Sequence, residues 1–283
     1  MKKLSILFIA LVSLIALNGC NKHEVNEVDK MGCTNKNSLN YDSKATIDDG
    51  SCIATGPLQL GLVVEYTATW CGPCGDWGAP GMQALVDMGD VVGIACHASG
   101  DPMYNATLYN SLASCRPDGG GIPAFWVGDE KMPNSPSTFP GKMTNLMARD
   151  PEGSIVCKAT RVGDNVSIKA YTEFLKEVTG DYYVSVMLLE SGIDGSSSSG
   201  DFEQNGTANP DTYTHQHVLR AALDDNCYGE SIATGTTIAG TMIIKDFTMA
   251  IDPDWTNELA IAVVLWKKNG TMFEYVNAFE YGF

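Results

Sequence analysis

From residue 58 onward the chain alternates long apolar runs with short polar stretches, and the pattern changes character near residue 150. In the first part, LQLGLVVEYTAT is a continuous apolar and β-branched run that predicts a buried strand, and VVGIACHA predicts a second. Between them a helical stretch covers 82–88, its start weakened by Gly75, Gly78 and Gly81. MYNATLYNSLAS reads as a helix, DGGGIPAFWVGD as a glycine-rich turn running into a strand, and STFPGKMTNLMARD as a last helix. Strands alternating with helices predict an α/β domain over 58–150. Beyond it the helical signals fade. DYYVSVMLLESG, TTIAGTMIIKDFTMAI and ELAIAVVLWKKNGTMFEYVNAF read as strands, with Asn269-Gly270 as a hairpin turn. They predict an all-β, immunoglobulin-like sandwich over 152–283, from which the polar loop SGIDGSSSSGDFEQNGTANPD hangs.

The first 57 residues follow other rules. Lys2 and Lys3 precede an apolar run over 4–17 that closes on Asn18-Gly19-Cys20, the layout of a secretion signal over 1–19. The run is short for a membrane span, and LNGC resembles the lipobox of bacterial lipoproteins, which makes Cys20 the expected lipidation site. Residues 20–31 are polar and aperiodic and read as a tether. Residues 32–53 form an Asn- and Asp-rich segment bounded by Cys33 and Cys52. A disulfide between those two would contribute roughly 3 kcal/mol in the chain-entropy model. Asp42, Asp48 and Asp49 offer hard oxygen ligands for calcium, though their spacing departs from the EF-hand loop, and a plain disulfide knot is the alternative.

Charge and cysteine content narrow the setting. A formal charge of −16 repels phosphate backbones and argues against nucleic acid as a partner. Of nine cysteines, eight remain once Cys20 is set aside, an even number that in an exported chain reads as bridges and redox pairs. Cys96 with Cys115, and Cys157 with Cys227, are the expected structural bridges because each pair stays within one predicted domain. No cofactor beyond a redox-active disulfide is called for. His97 follows Cys96 on a strand, so their side chains point to opposite faces, and His215 and His217 share one strand face, too few ligands for a metal site.

The segment TATWCGPCG places Cys71 and Cys74 directly after a strand and before a helix. Partial positive charge at a helix start favours the thiolate of Cys71, the attacking species in disulfide exchange, and Cys74 is close enough to resolve the mixed disulfide. A static bridge or a soft-metal site are the alternatives, although no second C-x-x-C supplies further ligands. Trp70 offers a flat apolar contact beside the sulfurs.

LVVEYTATWCGPC and GIPAFWV, in that order, resemble the thioredoxin superfamily. The resemblance implies an α/β thioredoxin-like domain in which Pro123, after Ile122, is cis and orients a partner's backbone, while Glu65 is a buried acid that relays a proton to Cys74. Pro80 falls six residues after Cys74 where that superfamily has five, so the helix start is either distorted or shifted in register. More broadly, residues 58–283 resemble the Omp twenty-eight-related outer membrane lipoproteins, partly through Tyr213, His215, Val218, Leu219 and Arg220. Together these resemblances imply a lipoprotein anchored to the outer membrane that exchanges thiols and disulfides with exported proteins, a thiol-disulfide oxidoreductase. The competing reading is a non-catalytic surface binding or adhesion lipoprotein that uses the same fold as a scaffold.

Overall fold

The computed structural model describes residues 30–35, 38, 41–49, 52, 58–196 and 202–283. Strand β1 (Gly61–Thr67) is buried along its whole length, because β2 (Val91–His97) runs parallel on one side and β3 (Ala124–Val127) antiparallel on the other. A tight turn returns β3 into the short β4 (Glu130–Lys131). Three helices flank these strands: α1 (Ala79–Val86), α2 (Ala106–Ala113) and α3 (Phe139–Met147). The side chain of Asn105 caps α2 by accepting from the backbone N–H groups of Thr107 and Leu108, which that helix end would otherwise leave unpaired.

The longer elements among the remaining described residues are strands: β5 (Gly153–Val162), β6 (Asn165–Phe174), β7 (Asp181–Ser191), β8 (Val218–Ala222), β9 (Glu230–Ala233), β10 (Met242–Ala250), β11 (Glu258–Asn269) and β12 (Met272–Gly282). As expected, Asn269-Gly270 begins a tight hairpin turn, with Gly270 at φ 61°. Strands β10, β6 and β5 form a small antiparallel sheet. Its Ile155, Ile168 and Phe247 pack against Val186, Leu188 and Val263 of the large sheet, giving a sandwich-like core. The opposite face of the same large-sheet strands sends Met187, Leu189, Val264 and Trp266 into a second core with Leu62, Leu112 and Phe125. Side chains alternate between two buried faces, so the centre of DYYVSVMLLES is apolar at successive positions, with Ser185 the exception between Tyr182 and Leu189, rather than at every second residue.

The expected division into an α/β thioredoxin-like domain and a separate sandwich is corrected by this topology. One nine-stranded sheet runs β12-β11-β7-β8-β2-β1-β3-β4, with β9 added beside β7. It crosses the anticipated boundary where Val218 pairs with Ala95, whose N–H donates to the His217 carbonyl at 2.8 Å. Among the described residues 45% are strand and 17% helix, so the architecture is mostly β, with three α-helices of eight or nine residues beside it. A strand buried on both faces reads as an unbroken apolar run and carries no mark of which strand lies beside it. Buried side chains also tie the halves together. Arg116 is almost wholly enclosed, its guanidinium 4.3 Å from the Trp266 ring and 2.8 Å from Asp129. Tyr228 donates to the Leu112 carbonyl, and Asn277 accepts from the Leu60 N–H.

The cysteine pairing is also corrected in part. Cys33 and Cys52 are bridged as expected. Cys96, Cys115, Cys157 and Cys227 are free and buried. Cys157 and Cys227 belong to the two different cores, one on each side of the large sheet. Burial pushes both thiols up to about 12 and raises Cys96 well above its ordinary value, so they are inert apolar filling. The calcium reading finds no support either. Lys30 donates to Asp42 at 2.6 Å, and with the Lys44 N–H it holds that carboxyl below its usual range. Among the described residues no three His, Cys, Asp or Glu side chains gather into a metal site, with Asp48 and Asp49 or without them. The secretion signal, Cys20 and most of the tether lie outside the described residues.

Candidate functional site around Cys71 and Cys74

Strand β1 ends at Thr67, and a turn in which the Cys71 N–H donates to the Ala68 carbonyl delivers Cys71 to the start of a helix. Cys71 and Cys74 form a disulfide, Cys71 reaching the surface with 5% of its area and Cys74 with none. The Cys74 backbone N–H points at the Cys71 sulfur from 3.2 Å. A backbone N–H at a helix start favours negative charge on the atom it faces, and this one is aimed at the Cys71 sulfur. The Ile122 carbonyl oxygen lies 3.8 Å from the same sulfur, and the Ile122–Pro123 peptide is cis. A groove of about 690 Å³ opens beside the sulfur, walled by Trp70, Pro73, Tyr104, Tyr109 and Ile122. Half of the Trp70 surface is exposed there.

The helix starts earlier than the expected 82–88 and is distorted. A π-helical turn over Cys74–Gly78 precedes α1 and sets Pro80 in the first turn of α1, where its missing N–H leaves no bond unmade. The wider turn absorbs the additional residue between Cys74 and Pro80. At Gly78 the helix presses against Glu65 and Pro123: a Cβ there would lie 2.7 Å from Glu65 Oε1 and 3.0 Å from the proline ring. The glycine that weakens the helix on paper is what lets these three parts meet.

Glu65 is buried and its Oε1 has no hydrogen-bond partner. Burial pushes its carboxyl up to about 8, against a smaller opposing effect of the Thr67 hydroxyl, so at neutral pH it holds a proton. It stands one helical turn beyond Cys74, at Gly78.

The sequence reading missed the contribution of the long polar loop. Instead of hanging free, its 202–207 portion straps the cysteine turn. The Gln204 amide nitrogen, buried, donates to the carbonyls of Ala68, Thr69 and Cys71 at 3.1–3.4 Å. The Asn205 N–H donates to the Thr69 carbonyl at 2.8 Å, and the Asn205 side chain reaches the Trp70 carbonyl. Backbone meets backbone at two glycines: a Cβ on Gly75 would strike the Asn205 carbonyl, and one on Gly206 the Gly72 carbonyl. The glycines in CGPCG and QNGT were the only trace of this contact in the sequence.

His97 Nδ1–H donates to the Asp101 carboxylate at 2.9 Å, and Asp101 also accepts the Thr69 and Met103 N–H groups. Burial works against ionisation of Asp101, but these bonds outweigh it and keep the carboxyl below its usual range. His215 donates Nε2–H to the Phe202 carbonyl, and its ring lies 5.5 Å from that of His97. The expected common strand face of His215 and His217 is broken, because His217 adopts a left-handed conformation at φ 56° between two strands.

No protein-family model matches the chain, and no curated protein is similar to it in sequence. Among solved structures it is similar to HBP35 of Porphyromonas gingivalis, with a TM-score of 0.61 at 17% identity over 79% of this chain and 75% of that one. That likeness spans both halves and concerns the fold alone. Weaker likenesses link it to the sporulation control protein Spo0M of Bacillus subtilis (TM-score 0.30, 12% identity, 46% of this chain and 48% of that) and to the E. coli curli protein CsgC (TM-score 0.20, 12% identity, 46% and 97%).

Proposed function

We propose that the chain exchanges disulfides with cysteine-containing exported proteins, anchored in the bacterial envelope through Cys20. The observation that carries this reading is the Cys71 sulfur, at the surface of a groove and facing a backbone N–H donor, with its partner sulfur sealed behind it. In the reduced protein the Cys71 thiolate attacks one sulfur of a partner disulfide, and the other partner sulfur leaves as a thiolate. The fraction of Glu65 that is ionised takes the proton of Cys74, whose thiolate attacks the Cys71 sulfur, breaks its bond to the partner, closes the bridge and releases the second partner sulfur as a thiolate. Two electrons pass to the partner, and the reverse sequence oxidises a partner dithiol. A substrate chain lies in the Trp70 groove, where it meets Ile122 and Pro123. Equilibration with thiol buffers tests the reading: a reversible potential between about −270 and −120 mV supports exchange, whereas a bridge that stays closed below about −300 mV is structural. The second outcome would favour the surface-binding scaffold.

Gln204 holds the carbonyls on both sides of Trp70 and thereby the geometry that brings the two sulfurs together. Gln204→Leu is expected to loosen the turn and make the potential less negative by about 30 mV, a tenfold change in the exchange equilibrium. An unchanged potential in a folded variant would remove Gln204 from the redox argument.

Glu65 gives a pH signature. Its folded value of about 8 lies above the 4.5 of an unperturbed glutamate, so the folded state binds the proton more tightly and loses stability as pH rises between those two values. Glu65→Gln carries no such penalty. Its stability relative to the parent is expected to climb by up to about 1.4 kcal/mol per pH unit across that window, read from urea unfolding at several pH values. A flat difference would mean that Glu65 is ionised in the folded chain throughout.

A further inference from the structure

A second cleft, of about 710 Å³, lies between α1 and the 204–217 segment and shares no lining residue with the Trp70 groove. Four buried side-chain polar atoms among the described residues lack a hydrogen-bond partner, and two of them, Glu65 Oε1 and His217 Nδ1, belong to residues lining this cleft. Buried polar atoms left unpaired are costly and call for a partner. Glu280 Oε2 lies 3.8 Å from His217 Nδ1, too far for a hydrogen bond.

The chemistry of the walls selects that partner. Glu65 and Asp76 supply carboxyls, and no Lys or Arg lines the cleft. His215 gives its Nε2 proton to the Phe202 carbonyl, and since burial pushes this ring down to about 4 it is neutral, with Nδ1 left as an acceptor. Met82, Val86 and Ala95 add an apolar wall. The cleft is thus rich in acceptors, poor in cationic donors, and partly apolar. An anion would find no charge to pair with, and the absence of any three-ligand metal cluster among the described residues disfavours a metal ion.

We propose that this cleft binds a small organic cation, a guanidinium or alkylammonium compound, whose N–H groups meet Glu65, His215 and His217 while its carbon chain lies on Met82 and Val86. The assignment shares Glu65 with the exchange reading but needs no electron transfer and uses a different opening. Binding a cation requires Glu65 to give up its proton. The other ionisable groups lining the cleft are Asp76, His97, Tyr213, His215 and His217, with Glu280 behind His217. Arg220, which also acts on His215, is engaged by Glu190 at 2.7 Å.

The test is calorimetric titration of the purified, oxidised chain with agmatine, which stays cationic across the range, and with succinate and zinc for comparison. One-site binding of agmatine is expected, about tenfold or more tighter near pH 8.5 than near pH 6.5 because Glu65 must ionise to pair with it. Glu65→Gln is expected to weaken binding by at least about tenfold. Val86→Trp, which fills the cleft from the helix side without touching Glu65, is expected to abolish binding and leave the Cys71–Cys74 potential in place. Absence of saturable agmatine binding at both pH values, equal binding of succinate, or binding of zinc in place of agmatine would overturn the proposal. None of these results depends on whether the cysteine pair exchanges disulfides.

Discussion

Cys74→Ser is expected to convert a transient exchange partner into a stable covalent one. With Cys71 still able to attack and no second thiol to resolve the product, mixed disulfides should accumulate on non-reducing gels and vanish on reduction, while Cys71→Ser and the double variant give none. The effect should approach all or nothing, because Cys71 is the one sulfur of the pair that reaches the surface, and the buried thiols of Cys96, Cys157 and Cys227 are held protonated by their surroundings. The adducts should be found in the membrane fraction and move to the soluble fraction when Cys20→Ala is added. If Cys74→Ser yields no adducts, or Cys71→Ser yields as many, the exchange reading fails.

Trp266→Ala is expected to be the most damaging single substitution for stability. Trp266 has no exposed surface, and its indole N–H donates to Ser185 Oγ at 2.9 Å, an atom equally buried. Truncation removes a large apolar side chain, leaves Ser185 without that donor and strips the Arg116 guanidinium of the ring it rests on. The combined cost is about 3–5 kcal/mol. For a chain of this size that lowers the melting temperature by roughly 6–20 °C. Because Trp266 sits in the core that both halves share, tryptophan fluorescence and far-ultraviolet circular dichroism should report one coincident transition before and after the change. Two separated transitions would show that the halves melt independently.

Features carried by short stretches of sequence were the legible ones. WCGPC after an apolar run put a strand, a turn and a helix in the right order, and GIPAFWV carries the cis Ile122–Pro123 peptide whose Ile122 carbonyl lies by the Cys71 sulfur. Glu65, expected to be a buried acid from the resemblance rather than from the apolar run itself, is buried. Even the distortion of the helix start showed in the spacing of Pro80, though only the structure reveals a π-helical turn as its form. Long-range pairing was not legible. Val218 against Ala95 joins strands more than a hundred residues apart, and nothing in either apolar run names the other, so the chain looked like two domains with two fold classes. The bridge expected between Cys157 and Cys227 failed for a related reason: nearness within a predicted domain says nothing about which face of a sheet a thiol occupies, while Cys96 and Cys115 share one core and are nevertheless unbridged. Gln204 was hidden because a glutamine in a polar loop has the same signature whether it faces water or three carbonyls.

The strap has a consequence for the order in which the protein is made. Cys71 is joined to the growing chain 133 residues before Gln204, and β8, which completes the sheet beside β2, follows later still. For most of its synthesis the cysteine turn therefore has neither its lid of amide donors nor the strand that borders it. Any bridge closed in that interval forms in a looser setting than the finished one, and its final geometry is imposed from the far end of the chain.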